Sequence, residues 1–109
     1  SYFGKINDFS QICVVGLNCT QPILLAVPTE LAVQNKDIVS EKLSKVLIDV
    51  NEKLDNYKKI SKIILVKEDW VPENGMTTPT LKIKRAKIDE KFSPMYTDWE
   101  KSEKTVIWE

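Results

Sequence analysis

Apolar side chains recur along this chain with a period near 3.6 in some stretches and as short unbroken runs in others. The two patterns divide it into elements. Between residues 36 and 57, Val39, Leu43, Val46, Leu47, Val50, Leu54 and Tyr57 step by three or four, with lysines and acids in the gaps. That spacing predicts an amphipathic helix whose stripe packs on a core. Two runs rich in Val, Ile and Leu, residues 12–17 and 22–28, flank Asn18-Cys19-Thr20 and predict an antiparallel hairpin. Pro22 falls near a strand start, where a missing donor is tolerated. Residues 62–66 predict a third strand, residues 29–34 a helical turn, and residues 85–92 a short helix with Ile88 and Phe92 facing inward. Tyr2, Phe3, Ile6 and Phe9 recur at helical spacing and predict a short helical lead-in. The tail, residues 93–109, carries Met95, Tyr96, Trp99, Val106, Ile107 and Trp108 and is expected to wrap back onto the body. Strand, strand, helix, strand, loop, helix implies an α+β fold, a small, mainly antiparallel or mixed three-stranded sheet covered by helices.

Composition narrows the chemistry. At 109 residues the chain makes one small domain with a modest core. Its 16 lysines and arginines balance 16 aspartates and glutamates, so bulk charge gives no reason to expect nucleic acid as a partner. Arg85 is the single arginine, which leaves one candidate for bidentate phosphate recognition. The absence of histidine excludes a Ser-His-Asp or Cys-His mechanism built within this chain and removes the commonest metal ligand. Cys13 and Cys19 are too few and wrongly spaced for zinc and read as thiols in a reducing, cytoplasmic setting. The longest apolar run, residues 23–27, is of strand length, so no transmembrane segment or signal peptide is expected.

Residues 74–85, Asn-Gly-Met-Thr-Thr-Pro-Thr-Leu-Lys-Ile-Lys-Arg, combine a turn pair, a Thr/Pro loop and a burst of positive charge. Asn74 and Gly75 both tolerate positive φ and predict a tight reversal. Pro79 fixes its own φ and biases Thr78 toward extended geometry, so the chain is expected to reach Lys82 as a stiffened loop. Such a loop can project a lysine toward a phosphate on another surface. Trp70 is expected to anchor the loop by packing. Glu68, Asp69 and Glu73 crowd one loop without complementary ligands, so no metal site is expected there. Read without context, the basic cluster is a solvated face.

This run closely resembles the C-terminal signature of adenylate-forming enzymes, particularly long-chain fatty acyl-CoA synthetases, where NGLLTPTLKLKR recurs and this chain has NGMTTPTLKIKR. Residues 11–16 are similar to that family's strand ending in Val-Val-Gly, and residues 21–27 to the strand that follows. The resemblance implies that residues 1–109 are the compact C-terminal lid, with the N-terminal ATP- and acyl-binding domain and the hinge lying upstream. It implies a two-step reaction. A fatty acid carboxylate attacks ATP to give acyl-AMP and pyrophosphate, and CoA then takes the acyl group. In that reading Lys82 is the catalytic lysine of adenylation. Lys84 stays open as an alternative because Leu81 stands where many relatives carry glycine. Lys84 and Arg85 are implied phosphate neighbours, and Asn74, Gly75, Pro79 and Thr80 supply loop geometry. ATP and CoA are substrates of the parent, Mg2+ belongs in the N-terminal domain, and this fragment is expected to bind no cofactor and to be inactive alone. The parent is expected to be cytoplasmic, at most peripheral at a membrane. Two readings from other classes remain. One is a non-catalytic module using Lys82, Lys84, Arg85, Lys87 and Lys91 as a patch for RNA or anionic lipid; the other is a related ligase that hands the acyl group of its acyl-AMP to a carrier-protein thiol, releasing AMP.

Overall fold

A mixed four-stranded sheet in the order β1-β2-β3-β4 forms the centre of the computed structural model, which describes residues 2–109. Strand β1 (Phe9–Val15) runs antiparallel to β2 (Ile23–Pro28), with Ile12 opposite Ala26. Strand β3 (Lys62–Leu65) lies parallel to β2, with Leu24 opposite Ile63, and β4 (Val106–Trp108) lies parallel to β3. Parallel neighbours need long crossovers. One is made by α1 (Glu30–Gln34) and α2 (Lys36–Glu52). The other comprises the loop after β3, then α3 (Arg85–Phe92) and α4 (Tyr96–Lys101).

The crossovers leave helices on both faces, so β2 reads as a continuous apolar run and β3 as one after Lys62. Alternate residues of each strand serve different cores. Leu24, Ala26, Ile63 and Leu65 meet Val39, Leu43, Leu47 and Val50 of α2. Ile23, Leu25, Val27, Ile64 and Val66 meet Ile88, Phe92, Tyr96 and Trp99 of α3 and α4. Burying each large aliphatic side chain contributes about 1.5–3 kcal/mol.

The α+β class and the mixed sheet agree with the sequence, and several details are corrected. The sheet has four strands and not three, because Val106–Trp108 adds a parallel edge strand that an apolar pattern of this length does not disclose. Two of its three pairings are parallel, so it is mixed and not mainly antiparallel. The residues spaced as a lead-in helix form turns instead, with Ile6 N–H donating to Phe3 O and Phe9 N–H to Ile6 O. Helix α2 stops at Glu52, short of Tyr57, whose side chain is exposed. Asn51 explains the exit: its side chain exchanges two 2.9 Å hydrogen bonds with the backbone of Ile60, holding the departing chain against the helix end. Among the described residues no helix is long and apolar enough to cross a membrane.

Candidate functional site

The loop leaving β3 is fastened at its root. Trp70 is buried, and Gln11 of β1 takes both of its backbone polar groups, accepting from Trp70 N–H at 2.9 Å and donating to Trp70 O at 2.8 Å. The sequence expectation that Trp70 anchors this loop holds in its packing. A 3-10 turn, Pro72–Asn74, follows and ends at Gly75 with φ of 78°. Nothing lies within 4 Å of a Cβ built there, so Gly75 is required for its backbone angle and not for space.

Asn74 tolerates positive φ but does not adopt it here. Its side chain closes the turn instead. Oδ1 accepts from Val71 N–H and Met76 N–H at 3.2 Å each, while Nδ2 donates to Glu68 Oε1 and Asp69 O at 2.8 Å each. An Asx side chain that substitutes for a backbone partner in this way is the usual reason for asparagine in turns.

Residues 76–84 then form a small hairpin. Thr77 bridges Ile83 in antiparallel fashion, and Lys84 N–H donates to Met76 O at 2.9 Å. Thr78 closes the tip by three bonds: its N–H donates to Lys82 O at 2.9 Å, its carbonyl accepts from Leu81 N–H at 2.8 Å, and its hydroxyl accepts from Lys82 N–H at 3.0 Å. Pro79 and Thr80 occupy the turn, where Pro is favoured at the first central position. A three-residue hairpin loop of this kind places its last residue in the left-handed region, a place suited to glycine. Here that residue is Leu81, with φ of 66°, the one non-glycine residue with positive φ among those described. The conformation costs a leucine roughly 1–2 kcal/mol. Its side chain nevertheless stands 65% exposed.

The hairpin thus presents Lys82 beside an exposed leucine. Among the described residues, the Lys82 ammonium has no hydrogen-bond or ion-pair partner. Lys84 is the N-cap of α3, without a side-chain capping bond, and its carbonyl accepts from Lys87 N–H and Ile88 N–H. Lys84 and Arg85 are exposed. Arg85 borders two clefts, one of about 420 Å3 with Ile12, Cys13 and Ile83, the other of about 660 Å3 with Gly16, Cys19, Asp89 and Tyr96. Burial pushes the Cys13 thiol up, and the Arg85 guanidinium nearby pulls it back. Both cysteines are free thiols.

The basic residues expected to act as a patch are therefore not equivalent. Lys91 lies 3.9 Å from Glu68 Oε1, whereas Lys82 stands unengaged at the tip. Among the described residues no group of three or more Cys, Asp or Glu could hold a metal ion. Sequence reasoning missed Gln11, Thr78 and the pair formed by Asp89 and Tyr96, whose hydroxyl donates to Asp89 Oδ1 at 2.5 Å. Thr78, preceding a proline in a turn-rich stretch, carried a readable signal. Gln11 did not, since its partner lies 59 residues away.

A 40-residue stretch of this chain is 48% identical to the protein called Long chain acyl-CoA synthetase 8 of Arabidopsis thaliana, a match spanning 37% of this chain and 6% of that protein. The match thus supports a local relationship to that synthetase over a small part of its length. No family profile matches the chain, and no solved structure matches it.

Proposed function

We propose that this chain is the C-terminal cap of an ATP-dependent fatty acid:CoA ligase and that Lys82 is the cation it supplies to adenylation. The observation that carries this reading is the hairpin tip, where a short hydrogen-bonded loop holds out an ammonium that no anion of its own domain engages. The local similarity to a plant acyl-CoA synthetase adds support.

Adenylation brings a carboxylate onto the α-phosphate of ATP and builds negative charge on the phosphoryl oxygens. A cation between the two anions lowers their repulsion and stabilises the transition state. Lysine suits the task as a compact charge on a flexible stem. In this reading ATP, fatty acid and Mg2+ sit on the N-terminal adenylate-forming domain of the same protein, CoA is the second-step acceptor, and the isolated cap is inactive. In the same reading Lys84 and Arg85 are weaker phosphate neighbours.

The test is Lys82→Ala in the full-length protein, with the two half-reactions measured separately. Pyrophosphate release should fall roughly 10²–10³-fold, while thioester formation from preformed acyl-adenylate stays near wild type. An equal loss in both halves refutes the role. Running the second half with CoA or with a carrier-protein thiol identifies the acceptor.

A further inference from the structure

We propose that Thr78 is a positioning residue for Lys82, its hydroxyl fixing the backbone from which the ammonium is presented. The inference rests on the ligase reading above and extends it to a residue to which the signature gives no role. Three observations carry it. Both backbone polar groups of Lys82 are held by Thr78: the Lys82 N–H donates to the Thr78 hydroxyl at 3.0 Å, and the Lys82 carbonyl accepts from the Thr78 N–H at 2.9 Å. The Thr78 carbonyl accepts from Leu81 N–H at 2.8 Å, and the left-handed backbone at Leu81 turns the chain back so that the Lys82 N–H reaches the hydroxyl. The bridge between Thr77 and Ile83 is the last rung below the tip, and above it Thr78 alone among the described residues holds Lys82.

Lysine carries its charge on a flexible stem, so the tip can fix the origin of that stem and not its end. With the N–H and the carbonyl of Lys82 tied to one residue, the direction of its Cα–Cβ bond is set before any nucleotide arrives. Orientation fixed in advance lowers the barrier to the step more than it strengthens ATP binding. A second hydroxyl supports the arrangement. Thr80 Oγ1 lies 3.1 Å from Thr78 Oγ1, and a hydroxyl can accept from the Lys82 N–H while sharing a hydrogen with its neighbour. Thr78 is half-buried and its bond to the Lys82 N–H lies at the surface, so water can satisfy that N–H once the hydroxyl is gone. Removing the hydroxyl therefore frees the Lys82 backbone with little effect on folding.

The test is a pair of variants in the full-length protein. Thr78→Val keeps the shape and the β-branched preference for extended backbone but removes the hydroxyl, whereas Thr78→Ser keeps the hydroxyl. In Thr78→Val, kcat for adenylation should fall about fivefold to tenfold, the factor expected from one ordinary hydrogen bond. KM for ATP should stay within about twofold, because the bond acts on alignment and not on ground-state binding. Amide exchange at Lys82 should speed by a similar factor, while the urea midpoint and thioester formation from preformed acyl-adenylate stay at wild type. Thr78→Ser should match wild type throughout. Wild-type adenylation by Thr78→Val, an equal loss in both half-reactions, or Thr78→Ser as slow as Thr78→Val overturns the positioning role. If Lys82→Ala has lost adenylation in the same assay, such a result leaves the ligase reading standing. If Lys82→Ala adenylates at the wild-type rate, both fall together.

Discussion

Lys62 and Lys82 carry the same ammonium in opposite settings. Lys62 is 8% exposed, and its Nζ donates to Ser102 O at 2.6 Å and Lys104 O at 2.7 Å. Those bonds tie the segment before β4 to the start of β3. Lys82 stands outside, unengaged among the described residues. A charged group taken from water has to be matched by acceptors, and Lys62 uses its donors on the fold itself. Lys82 makes no such bonds among the described residues. Residue type therefore assigns no role; the environment of the nitrogen does.

The sharpest way to break the contrast is to make the same substitution at both places. On the ligase reading proposed above, Lys82→Met in the full-length protein should lower acyl-adenylate formation roughly 10²–10³-fold, read by rapid-quench pyrophosphate release. Its unfolding free energy should move by less than about 0.5 kcal/mol. Lys62→Met should do the reverse. Two carbonyls lose a charged donor, so urea unfolding should register a loss of about 1–3 kcal/mol, with adenylation by the folded protein unchanged. A Lys62 variant as stable as wild type would show that the tie is idle.

Asn74→Ala sharpens the comparison from the loop side. Removing the side chain that links Val71, Met76, Glu68 and Asp69 should cost about 1–2 kcal/mol and speed amide exchange at Met76. Unchanged exchange there would mean that the turn is held by Gly75 alone. The smallest effect concerns Tyr96. Burial, and after it the Asp89 carboxylate, pushes this phenol far above its ordinary value. A folded pKa raised above the unfolded value of about 10 means the stabilisation is complete below that pH and is lost as pH rises beyond it. The urea midpoint should begin to fall above about pH 10 in wild type and fall less in Tyr96→Phe; parallel curves would exclude Tyr96 as the titrating group.

Elements whose signal is local were legible in the sequence. The stripe from Val39 to Val50 forms α2, and the flanking apolar runs form β1 and β2. Ile88 and Phe92 face inward on α3. What escaped depends on distant partners. Val106–Trp108 becomes a strand only because β3 lies open beside it, and Trp108 Nε1 donates to Ser40 Oγ across 68 residues. The lead-in stripe fails because burial of Phe3 needs no helix, while Phe9 is drawn into β1. At the candidate site, the turn residues and the projecting lysine were readable from the Asn-Gly and Pro signals. The left-handed backbone at Leu81 was not, because leucine is the wrong residue to announce it.

The fork that Gln11 extends to Trp70 sets where this molecule can bend. The pivot of the loop lies in the sheet, so the tip is a lever clamped at its base. Swinging the root independently would break both hydrogen bonds together and draw a buried indole into water. Any travel of the loop's root is therefore carriage of the entire body.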